Sequence, residues 1–182
     1  MYQRILFICL IALPASSKAQ TDSASLVPFI REAADSMTAA FTRKDFRTFT
    51  TYNNATLVGM VGGEESFANF VENQVSSLKD LSFSVVRAGR ILRVLPGEKP
   101  MQCLVEQLSE ILYQGNYISV VSHLVGISTN GREWRFADAN PNGGRDIRKM
   151  IPEMSPSLAI PQKKQVAGIR LDEFLKTYDT VY

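Results

Sequence analysis

Cysteine is nearly missing from this 182-residue chain, which has only Cys9 and Cys103, and histidine and tryptophan occur once each, as His123 and Trp134. One histidine cannot furnish the His-rich sets that hold zinc, and it leaves a Ser/His/Asp triad without support. No Gly-x-Ser-x-Gly elbow is present, and neither Gly62-Gly63 nor Gly143-Gly144 stands before the Lys-Ser or Lys-Thr pair of a phosphate loop. Asp138 to Gly144 looks superficially like a calcium loop but lacks the closing glutamate. Neither a metal nor a cofactor is expected.

Charge of one sign is also lacking: 20 Lys and Arg face 18 Asp and Glu. Lys163-Lys164 and the group Arg145, Arg148, Lys149 are short, and no basic cluster is interleaved with aromatics. Nucleic acid is not an expected partner. Long hydrophobic runs are limited to one, Ile5 to Leu13, preceded by Arg4 and followed by Ser17-Lys18-Ala19. A positive start, nine apolar residues and a small-x-small site are the layout of a cleavable signal peptide. The run is too short for a membrane span, which takes about 20 residues. Cys9 follows Phe7-Ile8, where a lipid-modified cysteine needs small neighbours. Residues 1–19 are thus expected to direct export to the periplasm or the exterior and to be removed. Their loss takes two cations and no acid, leaving 18 basic against 18 acidic residues. Cys103 would then be alone, so no intrachain disulfide is available and stability falls to the hydrophobic core.

What is present divides by period. Leu26, Ile30, Ala33, Met37, Ala40 and Phe41 recur at steps of three and four, predicting a helix from Ser25 to Lys44 with Pro28 in its first turn. Asp45 is placed to cap a second helix carrying Phe46 and Phe49, ended by Gly59, Gly62 and Gly63. Phe67, Phe70, Val71, Val75 and Leu78 mark a third, which has the cleanest apolar stripe in the chain. After Asp80 the period becomes two. Strands are expected over 81–95, 101–114, 117–129 and 132–138, joined by turns at Pro96–Pro100, Gly115-Asn116 and Asn130-Gly131. Helices before a meander of strands indicate an α+β fold: three N-terminal helices packed on one face of a curved four-stranded antiparallel sheet. Residues 20–140 form this domain, and 141–182 are an irregular C-terminal extension, with a short helix expected over Leu171 to Tyr178.

Phe41-Thr42-Arg43-Lys44-Asp45-Phe46 and Gly131-Arg132-Glu133-Trp134-Arg135-Phe136-Ala137-Asp138 resemble the first helix junction and the closing hairpin of the nuclear transport factor 2-like superfamily, the cystatin-like fold that includes the SnoaL-like cyclases. The resemblance covers residues 25–140 and rests on structural motifs. It implies a cone-shaped fold around a pocket, and a superfamily that contains isomerases, dehydratases and binding modules alike. It also allows a homodimer formed through the sheet.

Within that frame His123 is the candidate general acid or base, with Asp138 or Glu106 as its partner if its face of the strand lines the cone. A half-buried structural histidine is the plainer reading. Glu106 and Glu110 share a strand face with Leu104, Leu108 and Leu112, an unusual setting for carboxylates. Cross-strand pairing to Arg87, Arg90 or Arg93 explains them without chemistry. Tyr52, Asn53, Tyr117 and Trp134 are the candidate ligand contacts. With no nucleophile, metal set or cofactor loop in view, the favoured expectation is a non-enzymatic exported domain binding a small apolar molecule or a protein partner. A SnoaL-like pocket enzyme using His123 is the alternative.

Overall fold

The computed structural model describes residues 22–140 and 147–178; the expected signal peptide and the loop Pro141–Gly144 lie outside them. Asp22 caps helix α1 (Ser23–Thr42) by accepting a hydrogen bond from the Ala24 amide, and the three/four spacing turns Leu26, Ile30, Ala33, Ala34 and Met37 inward. The helix closes in a Schellman motif: Lys44 N–H donates to Phe41 C=O and Asp45 N–H to Ala40 C=O, both at 2.9 Å, with Lys44 at φ 58°. The Asp45 carboxylate then accepts from Thr48 N–H and opens α2 (Phe46–Thr51).

The single second helix expected from the sequence is two. Residues 52–54 break it because their backbone pairs with the sheet: Phe136 N–H donates to Tyr52 C=O at 2.7 Å, and Asn54 N–H to Phe136 C=O at 2.8 Å. Asn54 restarts the chain as the cap of α3 (Ala55–Met60), accepting from the Thr56 and Leu57 amides. Helix α4 (Glu64–Ser77) packs against α2 and buries Ala68 alone, so the helix with the cleanest stripe is the least covered.

An antiparallel sheet follows in the order β1 (Leu81–Leu95), β2 (Met101–Tyr113), β3 (Asn116–Ser128), β4 (Arg135–Asp138). The first tight hairpin sits one residue earlier than expected. Gln114 (φ 48°) and Gly115 (φ 79°) are its two central residues, both left-handed as the favoured two-residue hairpin requires. Asn130-Gly131 does not make such a turn. The Asn130 side chain accepts from the amides of Arg132 and Glu133, widening the connection so that β4 begins only at Arg135. Trp134 remains in that loop, where its indole N–H donates to Gly131 C=O.

The extension is not an appendage. After α5 (Ile147–Met150), a fifth strand, β5 (Lys164–Ala167), pairs with β3 at residues 118–121, on the edge that β4 occupies only at 124–127. The chain ends its described course in α6 (Leu171–Tyr178), over the residues expected. Each face of the sheet therefore has its own cover. On the front, Cys103, Val105, Leu124 and Phe136 meet α1. Gly126 is required there, since a Cβ would come within 2.5 Å of Cys103 Sγ and 2.7 Å of a Phe136 ring carbon. On the back, Leu104, Val125 and Ala137 are capped by Ile147, Ile151, Met154 and Leu158, and Leu108 and Val121 by Leu171 and Tyr178. No described helix is long and apolar enough to cross a membrane.

Candidate functional site

Alternation puts His123, Glu106 and Glu110 on the back of the sheet, together with Leu104 and Leu108, under the C-terminal segment and away from the helix-covered face. They form a polar seam between the two apolar clusters there. Glu106, only 2% exposed, receives the Arg90 guanidinium in a fork, Nε to Oε2 at 2.9 Å and Nη2 to Oε1 at 2.8 Å. An irregularity in β1 between Ala88 and Ile91 also turns the Arg90 amide onto Oε2 at 3.0 Å. Gly89 leaves room for this, because a Cβ there would stand 2.8 Å from Glu106 Cβ. Tyr178 hydroxyl donates to Oε1 at 3.1 Å. Every acceptor position is thus directed to holding the bulge and α6.

Glu110 is held the same way. Ser84 donates to Oε1, while Arg170 Nε and the Leu171 amide donate to Oε2 at 2.8 and 2.9 Å. The carboxylate is in effect the cap of α6, supplied from a strand 60 residues earlier. The pairing foreseen with Arg87 or Arg93 does not form, and Arg170 takes that role. For both glutamates, burial works to raise the pKa. The arginine and backbone hydrogen bonds outweigh it and hold each below the ordinary 4.5. A group depressed on folding adds stability above its unfolded pKa and loses it as pH falls through the folded value. The urea midpoint should therefore be flat from pH 7 to about 5.5 and decline below about pH 4.5 as α6 loses its anchors. The Glu110→Gln variant should show a shallower decline; an equally steep one would mean that other acids govern the acid limb.

His123 is 1% exposed. Its Nδ1 lies 3.0 Å from Asn140 Oδ1, and Asn140 Nδ2 donates to Pro161 C=O, which fixes the amide oxygen toward the ring. In the neutral imidazole, Nδ1 then carries the hydrogen and Nε2 the lone pair. Nε2 is buried with no hydrogen-bond partner among the described residues. Glu106 is its register neighbour across β2, but its oxygens are directed to Arg90 and Tyr178. Asp138 pairs in register with Leu124, is exposed, and accepts from the Asn140 amide. The expected His–carboxylate pair in an enclosed cavity is thus replaced by a His–Asn pair that ties β3 to the C-terminal segment.

The expected ligand contacts scatter. Asn53 is buried and donates to Phe49 C=O. Tyr117, on the back, carries the Arg170 guanidinium 4.3 Å above its ring. Tyr52 and Trp134 do meet, at a depression of about 320 Å³ bordered by Arg132 and Arg135, where Trp134 itself is only 2% exposed. Cys103 is fully buried, and desolvation pushes its thiol far above the ordinary value, opposed only weakly by the Gly126 backbone, so it is inert.

A different place has the shape of a binding site. Between the end of α1, the C-terminal half of α4 and the start of β1 lies a cleft of about 620 Å³, within the range that takes small ligands. Its floor is Phe41, Phe46 and Phe83, with Phe41 edge-on to both neighbours at ring separations of 6.1 and 5.2 Å. Its far wall is Val75 of α4 and Leu78, the residue that caps that helix, which is 41% exposed. Lys44, Lys79 and Glu72 also line it. Two of the phenylalanines stand out in the sequence only as helix positions. That they would floor a cleft could not be read there, because periodicity shows that a stripe is apolar and not whether the chain covers it. Among the described residues no group of three or more His, Cys, Asp or Glu could hold a metal ion. No protein-family model, no curated protein and no solved structure matches the chain, so the order of helices and strands and the two quoted motifs alone carry the likeness to the nuclear transport factor 2-like superfamily.

Proposed function

We propose that this chain is an exported, non-enzymatic binding module with a cone-shaped, nuclear transport factor 2-like fold, and that it takes a small apolar molecule in the Phe41–Phe83–Val75 cleft. One observation carries the reading: the apolar stripe of α4 is poorly covered by the chain, and its C-terminal end, half-buried Val75 followed by Leu78 at 41% exposure, lines a cleft floored by aromatic rings. A stripe of this kind is ordinarily buried by tertiary packing, which supplies most helical stability. Here a guest completes what the chain leaves open. The SnoaL-like alternative loses its support because His123 and Glu106 are sealed beneath the C-terminal segment and engaged with structural partners. A homodimer through the sheet would likewise need that segment to move, since both sheet faces are covered.

Native mass spectrometry of the protein purified from its host should show a retained small molecule. Val75→Arg, which places a charge in the cleft from an already half-buried position, should weaken binding of an apolar fluorescent probe at least tenfold with the urea midpoint unchanged. Undiminished probe binding by that variant would remove the cleft as the site.

A further inference from the structure

Apolar lining explains why the cleft takes a guest but not why its rim carries two lysines. Cations beyond a helix C-terminus are ordinary, because they complement the negative end of the dipole, and Lys44 and Lys79 follow α1 and α4 respectively. The conformation of Lys44 is not ordinary. It occupies the left-handed position of the Schellman motif, φ 58°, where glycine is the usual residue because a Cβ is strained. An aspartate or asparagine would tolerate that position better than lysine, and a glycine better still. The chain thus retains a strained residue whose distinguishing property is a long cationic side chain, and that side chain lines the cleft. Lys79 lines the same cleft from the other rim, and neither lysine joins a salt bridge among the described residues. Glu72 is the one carboxylate of the lining, so the cations exceed the anions.

Resting on the binding reading above, we infer that the guest is a single-chain anionic amphiphile, with its tail over Phe41, Phe46 and Phe83 and its head at Lys44 and Lys79. A volume near 620 Å³ suits one alkyl chain and is small for a two-chain phospholipid. The open rim keeps the head partly in water, so the charge contribution is moderate and screened by salt.

The test uses the mature protein and displacement of an apolar fluorescent probe by dodecanoate, dodecanol and dodecyl phosphate at pH 8. Dodecanoate should bind about tenfold more tightly than dodecanol, and the gap should shrink in high salt. Lys44→Gly with Lys79→Gln should abolish the gap while leaving dodecanol affinity unchanged. Lys44→Gly alone should raise the urea midpoint, which separates relief of backbone strain from any loss of fold. Equal binding of dodecanoate and dodecanol overturns the anionic assignment and leaves the apolar cleft standing. Tighter binding of dodecyl phosphate than of dodecanoate, lost likewise in the double variant, supports the anionic head and names it as phosphate; the reverse order names it as carboxylate. No displacement by any of the three, together with no effect of Val75→Arg on the probe, overturns both the inference and the binding reading.

Discussion

A chain ending at Pro161 is expected to lose about 3–5 kcal/mol of stability and to self-associate. The deletion uncovers Leu108 and Val121, which Leu171 and Tyr178 seal in the full chain, and full burial of one such side chain is worth about 1.5–3 kcal/mol. It also strips β5 from residues 118–121 of β3, leaving that part of the strand's outer edge unpaired. Glu106 would lose the Tyr178 hydroxyl, and Glu110 the Arg170 and Leu171 donors. Part of the gain from the segment is offset by the entropy of ordering it, which keeps the net figure below the sum of its contacts. Urea unfolding followed by circular dichroism gives the first quantity, and light scattering across a concentration series gives the second. A truncated chain that unfolds at the parent midpoint and stays monomeric would show that the C-terminal segment lies outside the cooperative unit. The same experiment bears on dimerisation, because the truncation uncovers the Leu108–Val121 part of the back of the sheet while Ile147 to Leu158 still cover the rest.

Glu106→Ala should destabilise by about 2–3 kcal/mol, less than the 3–5 typical of breaking a fully buried ion pair. The discount follows from asymmetric exposure: Glu106 is 2% exposed, whereas the Arg90 side chain is 48% exposed and can return to water. What remains is the Arg90 amide left without its acceptor, the Tyr178 hydroxyl left inside, and a cavity against Gly89. Glu106→Gln keeps the volume but turns an amide NH₂ toward a guanidinium, so it should recover little of the loss. In a double-mutant cycle with Tyr178→Phe, the coupling should be about 0.5–1.5 kcal/mol and of the same sign, because the two groups share one hydrogen bond. Catalytic carboxylates commonly sit at a stability penalty, so their removal is neutral or stabilising. A Glu106→Ala protein at least as stable as the parent would therefore return Glu106 to the functional candidates. Loss of stability with intact probe binding would confirm it as the clasp of α6 and the β1 bulge.

The pairing of Glu106 with Arg90 was legible in the sequence, whereas the part played by the C-terminal segment was not. Glu106 and Glu110 stand out because acids rarely alternate with leucines, and Arg90 was within reach as a cross-strand partner. Arg170 was not, since nothing local links a residue in an irregular tail to a strand 60 positions earlier. Trp134 was expected inside the fourth strand, but the wider connection held by Asn130 leaves it in the loop before Arg135. The pairing of Tyr52 and Asn54 with Phe136, which splits the second helix, left only weak helix formers as its trace.

Local chemistry determined the broad order of helices and then strands up to β4, because the three/four and two-residue periods, the capping side chain of Asp45 and the turn residues each act within a few positions of the chain. The split of the second helix and the fifth strand came instead from tertiary pairing. Only the tertiary structure decided which side of the sheet is which. A two-residue period sorts His123, Glu106 and Glu110 onto one face but cannot say what covers that face, and the answer came from a segment far along the chain. The same physics left α4 half-covered: an apolar stripe records a demand for burial, and whether protein or guest meets it depends on contacts that no local pattern encodes.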